Sequence, residues 1–160
     1  MDIKEAIKRS MQTEKNAMDF YTRVAAECKN EKARKVFELL AREEKEHAHW
    51  FYDVYPGDDI NFDTFIDADA DKGSDWLNEL DKVKVGDLNE QKAMELAMEK
   101  EKKLEEHLRA MAAKIEDPAV RKVFEDNAKS TANHYTLIES EYAHIMGMVH
   151  ETDIDTYVRE

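Results

Sequence analysis

Apolar residues recur at alternating steps of three and four along four long stretches of the chain, the spacing that places them on one face of an α-helix. In the first stretch Ile3, Ile7, Ala17, Tyr21, Val24 and Cys28 share their seam with Ser10 and Glu14, behind a capping box of Asp2 and Glu5, which predicts a helix over 3–29. Asn30 then offers an N-cap, and Ala33, Phe37, Leu40, Glu44, His47, Phe51 and Val54 continue the steps until Pro56-Gly57 stops a second helix. Asp87 and Glu90 read as another capping box, ahead of Met94, Ala97, Glu101, Leu104, Leu108, Met111 and Ile115. Asp117-Pro118 opens the fourth seam, with Val120, Phe124, Asn127, Thr131, His134, Ile138, Glu141, Ile145 and Met148. That helix is expected to fray or bend near Gly147, and the tail 150–160 to form a short further helix or a contact with another subunit.

Between the second and third seams, residues 56–86 hold Pro56, Gly57, Gly73 and Gly86, so the flanking segments are almost free of helix breakers. Phe62, Phe65, Trp76 and Leu77 are apolar pins in this connector, and a short helix is expected near 74–82. Asp67, Asp69 and Asp71 have the spacing of a calcium loop. Gly73 comes one residue late, however, and Asn78 stands where the bidentate glutamate belongs, so a solvated acidic loop is the better reading. The fold class is all-α, and 160 residues suit one domain. Its expected parts are a helical hairpin over 2–55, a crossover over 56–86, a second hairpin over 87–149 and the C-terminal segment 150–160.

The two hairpins read as copies. Laying 6–47 over 93–134 without a gap gives 13 identities in 42 positions, among them Glu14/Glu101, Phe37/Phe124 and His47/His134, and it superposes the caps Asn30 and Asp117. Glu14, Glu44 and His47 lie at similar distances along the chain from the turn at Asn30, and Glu101, Thr131 and His134 from the turn at Asp117. At about 1.5 Å per residue each set shares one height, so a four-helix bundle gathers Glu14, Glu44, His47, Glu101 and His134 in a mid-height layer. The connector is long enough to span a bundle roughly 35–40 Å tall, which lets the second and third helices run parallel.

A single seam histidine is commonly a satisfied core residue, and a single seam glutamate can pair with a lysine. Five ionisable groups at one depth are harder to accommodate, because each buried carboxylate costs several kcal/mol unless it is paired or bound to a metal. The donor set suits iron or manganese, with zinc as a further option. A net charge of −13 argues against nucleic acid and anionic membranes as partners. Cys28 is the sole cysteine, which excludes an intrachain disulfide, a four-thiolate centre and a CxxC pair, and fits a small buried hydrophobe in a reducing cytoplasm. Without an apolar signal core or an 18-residue apolar run, the expectation is a soluble cytoplasmic protein.

Glu14 within Thr13-Glu14-Lys15, the EExxH run ending at His47, and Glu101 together resemble the rubrerythrin-like branch of the ferritin-like di-iron carboxylate proteins, over about 3–55 and 88–145. The resemblance implies two iron ions, with Glu14 and His47 terminal on one, Glu101 and His134 terminal on the other, and Glu44 bridging. It also implies reduction of hydrogen peroxide or dioxygen with electrons from an external donor protein, by a homo-oligomer expected to be a dimer. Two departures stand out. Thr131 occupies the position of the family's other bridging glutamate, and the rubredoxin-like segment with paired CxxC is absent from this sequence. Three carboxylates leave two divalent ions with a charge of about +1 unless an anion enters, so the second metal is expected to be weak. Glu105, one turn past Glu101, is a possible substitute ligand and otherwise a solvated flank; Glu141 lies too far along its helix to join the layer. Tyr21 is either a hydrogen-bonding neighbour of a ligand or core filling, while His49, His107, His144 and His150 read as peripheral. Two other classes stay open: a ferroxidase or iron-handling protein, and a non-catalytic bundle whose metal site has decayed.

Overall fold

A computed structural model describes the backbone of residues 1–83 and 89–158 and the side chains of 1–83 and 89–147. Its helices begin where short polar side chains satisfy free backbone N–H groups. Asp2 accepts from the N–H of Glu5 at the start of α1 (Ile3–Glu27), and Asn30 from that of Ala33 at the start of α2 (Glu31–Asp53). Asn61 caps α3 (Phe62–Asp67) through Thr64, and the Ser74 hydroxyl accepts from Leu77 in α4 (Asp75–Val83). Asn89 caps α5 (Glu90–Lys114), and Asp117 takes the N–H groups of Ala119 and Val120 in α6 (Pro118–Val158). There is no strand among the described residues.

These elements form the expected all-α bundle of two hairpins, α1–α2 and α5–α6, joined by a crossover that carries α3 and α4. Three details differ from the sequence expectations. α3 is an additional helix, made possible by Asn61 ahead of Phe62, Phe65 and Ile66, which share a face. Asp87 lies outside the described residues, and Asn89 holds the α5 cap; Glu90 reaches across the bundle, its Oε1 accepting from the backbone N–H groups of Lys29 and Asn30 at 2.8 and 3.1 Å. α6 passes through Gly147 without a break, and the side chains of Met148 and His150 lie outside the described residues. The Glu90 contact places the start of α5 beside the start of α2. Hence α2 and α5 run parallel, and the crossover must travel the length of the bundle.

The core is lined by the predicted seams. Phe51 of α2 meets Phe124 of α6 edge to face at 4.9 Å, and Tyr21 stacks on Phe37 at 6.0 Å. On the outside of α1 and α5, Trp76 of α4 packs edge-on against Phe20 and Tyr21 at 5.3 and 5.8 Å. Ion pairs of Arg23 with Asp81 and Lys100 with Glu79 hold α4 across both helices. Phe124 is fully buried. Phe124→Ala is therefore expected to cost about 3–5 kcal/mol, read from the urea midpoint, through the lost burial and the void left against Phe51.

Candidate metal centre

Halfway along the bundle the apolar seams are interrupted on all four long helices at once. Glu14 from α1, Glu44 and His47 from α2, Glu101 from α5 and Thr131 and His134 from α6 are all buried. Helical spacing turns Glu44 and His47 to one face. The antiparallel hairpin then brings Glu14 opposite them, with its Oε2 3.5 Å from His47 Nδ1. Glu44 sits at the centre: its Oε1 lies 2.8 Å from His134 Nδ1 and its Oε2 3.8 Å from His47 Nδ1. Glu101 Oε1 is 3.8 Å from His134 Nδ1. The imidazole rings stack face to face, 5.0 Å apart and 7° from parallel.

Close approach here does not amount to mutual hydrogen bonding. Both oxygens of Glu14 and of Glu44, Glu101 Oε2, Thr131 Oγ1 and the Nδ1 atoms of both histidines are buried without an aligned hydrogen-bond partner. Even the 2.8 Å approach of His134 to Glu44 is out of line for one. Such orphaned acceptors are costly in a dry interior, and a cation among them removes the cost. Glu44, His47 and His134 offer ligand atoms that all fall within 4.8 Å of one another. The donor set, carboxylates with imidazole nitrogens, fits iron, manganese or zinc.

The outer nitrogens of both imidazoles are braced from the opposite hairpin. His47 Nε2 lies 2.6 Å from Ser130 Oγ, and His134 Nε2 lies 2.8 Å from Glu43 Oε1. With Nδ1 of each ring bound to a cation, Nε2 would carry the proton and donate it. Ser130 and Glu43 are equivalent positions of the two copies, so each hairpin holds the other's histidine. Sequence reasoning missed this pair, although the repeat alignment that matched the ligands also matches 43 with 130. Tyr21 donates to Glu101 Oε1 at 2.7 Å, on the opposite hairpin from its own. Glu105 is not among the converging groups; its carboxylate is engaged by Arg109 Nε at 2.8 Å on the bundle flank. Glu141 is buried with Oε1 unpartnered, away from these contacts. His49 pairs with Asp53 at the surface, and His107 and His144 are exposed. Burial and the nearby Glu90 carboxylate push the Cys28 thiol up to about 11, which suits a packing role rather than a reactive one.

Without a metal, protons take the place of cations. Burial, then the charges of Glu14 and Glu101, raise the Glu44 carboxyl well above its usual range. Burial disfavours the charged form of His134, but the close carboxylates of Glu101 and Glu44 outweigh it and carry the imidazole up to about 11. Burial likewise opposes ionisation of Glu14, yet Glu44, His47 and His134 together hold it below the ordinary value. Burial and the Glu101 charge keep Tyr21 protonated as a donor.

Above about pH 6.5 the folded metal-free protein thus retains protons at His134 that the unfolded chain releases, and stability falls as pH rises toward about 11, by about 1.4 kcal/mol per pH unit. The lowered group, Glu14, loses its contribution only below its usual value of 4.5 and does not enter this window. Metal binding must expel the same protons, so affinity rises with pH. Between pH 6.5 and 8.5 the melting temperature in chelator is expected to fall while the increment produced by added metal grows. Equal slopes with and without metal would contradict this account.

The family model described as Rubrerythrin matches residues 5–142 of the chain. No curated protein and no solved structure matches it. Among the described residues no helix is long and apolar enough to cross a membrane.

Proposed function

Because the chain belongs to the rubrerythrin family, we propose that its buried layer is a di-metal centre, iron by preference, which reduces hydrogen peroxide or dioxygen with electrons from an external donor protein. The observation that carries this reading is the convergence of unpartnered carboxylate and imidazole atoms on one point of a dry core. Glu14 and His47 would hold one ion, Glu101 and His134 the other, with one oxygen of Glu44 turned to each side. When bound, the ions supply reversible electron storage and a Lewis acid toward an O–O bond.

The remaining work belongs to the chain. Tyr21 fixes the rotamer of Glu101 by donating a hydrogen bond to it. Glu43, as a carboxylate on His134 Nε2, holds that ring through a charge-assisted contact, whereas the neutral Ser130 hydroxyl holds His47. The half that lacks a carboxylate at 131 therefore has the more strongly supported imidazole. Packed aromatic rings of Tyr21, Phe37, Phe51 and Phe124 keep bulk water out of the layer.

The test is a metal analysis of protein purified without chelator, anomalous scattering at the iron edge, and peroxide consumption by the reduced protein. Iron at the layer with catalytic peroxide loss is expected, in a dimer on sizing. A large hollow oligomer that oxidises ferrous iron without peroxide turnover would favour iron handling. An empty layer would support a bundle with a decayed site.

A further inference from the structure

The α1/α5 face is covered over only part of its length. Toward the Asn30 end α4 closes it with Trp76, beneath which Tyr21 caps Glu101. At the opposite end the face remains open as a cleft of about 320 Å³. Ala6, Leu104, Leu108 and Met111 form its apolar walls, and Ser10 and Glu14 line it beside the metal layer. Leu108 is the residue that the duplication pairs with Tyr21. A hydroxyl guards the Glu101 side, whereas its aliphatic counterpart on the Glu14 side leaves an apolar hollow.

Hydrogen peroxide, only one oxygen larger than water and fully polar, needs a few tens of Å³ at about 30 Å³ per water-sized group and gains nothing from such walls. We infer that the cleft is the tail-binding half of a substrate site, and that the oxidant it takes is an alkyl hydroperoxide with a compact apolar tail. The inference rests on the oxidoreductase reading above and specifies its substrate class. The chemistry of the lining supports it. Ser10 Oγ already donates to the Ala6 carbonyl at 2.9 Å and Thr13 Oγ1 to that of Arg9 at 3.0 Å, so both hydroxyl oxygens remain as acceptors for a hydroperoxide O–H. Among the lining residues no cationic group is buried, which suits an uncharged ligand; at the exposed rim Arg9 is paired with Glu5, and Met1 and His107 stand beside it. In the reaction the O–O bond breaks, the alkyl oxygen leaves as an alcohol and the distal oxygen as water. Two electrons come from the external donor, which is oxidised, and two protons from solvent.

The test compares metal-loaded wild type with Ala6→Phe and Met111→Trp, each of which fills the cleft from a partly buried position. The ratio of kcat/KM for cumene hydroperoxide to that for hydrogen peroxide is expected to fall about tenfold or more in either variant. Cumyl alcohol, the unreactive product, should bind both metal-free and loaded wild type by calorimetry, shift the methyl resonance of Met111, and fail to bind Ala6→Phe. Turnover of hydrogen peroxide with no cumyl alcohol binding and an unmoved ratio would overturn the inference while the proposed function stands. Loss of a dimer in Ala6→Phe would assign the cleft to a second copy and also overturn it. Absence of turnover with either peroxide would remove both readings.

Discussion

Glu44→Ala is expected to abolish the stabilisation that metal confers while leaving the metal-free protein folded. Glu44 lies within 3.8 Å of both imidazoles, so in the proposed centre its loss would remove a ligand from each ion at once. A metal at 1,000 times its Kd adds about 4 kcal/mol to the folded state, and each kcal/mol is worth about 2–4 °C in a domain of this size. The expected loss is therefore on the order of 10 °C from the melting temperature with metal present. In chelator the variant should melt near the wild type, because the deleted carboxyl is itself an uncomfortable neighbour of Glu14 and Glu101. Trp50 provides a second reading: its ring lies 5.0 Å from His47, and its emission should respond to metal in the wild type and cease to do so in the variant. A Glu44→Ala protein that keeps two metals per chain would sink the proposed ligand set.

Thr131→Glu should have effects of opposite sign in the two states. Thr131 is fully buried, its hydroxyl is without a partner, and it is the duplicate of Glu44. A fourth carboxylate neutralises two divalent ions, so the second metal should tighten by about 10–100-fold. In the absence of metal the same group adds a buried negative charge to Glu14, Glu44 and Glu101, at a cost of several kcal/mol. Titration of the second equivalent, followed alongside melting in chelator, checks both signs together. A variant that gains neither metal affinity nor metal-free instability would show that position 131 does not face the layer.

Much of this could be read from the sequence because helices report their own periodicity and the duplication reports which helices face one another. The seams of Phe37 and Phe124, the caps at Asp2, Asn30 and Asp117, and the common height of Glu14, Glu44, His47, Glu101 and His134 all follow from local spacing. What escaped depends on contacts between elements distant in the chain. Glu90 has the spacing of a capping-box residue, but the two N–H groups it satisfies belong to the α1–α2 turn. Glu43 and Ser130 look like solvent-face residues until the crossing of α2 and α6 turns them onto the opposite histidines. The partial cover of the α1/α5 face depends on where the crossover lays α4, and no periodicity within α1 or α5 encodes it.

The reciprocal bracing of His47 and His134 also bears on how such a site can diversify. In an assembly of two identical hairpins every position would occur twice, and any replacement at the level of residue 44 would strike both halves simultaneously. Joining the hairpins through residues 56–86 breaks that symmetry in a single chain. Position 131 can then differ from 44, and 130 from 43, while the other half still anchors the layer. Covalent fusion thus provides the freedom for one half of the layer to change its donor groups while the other keeps them.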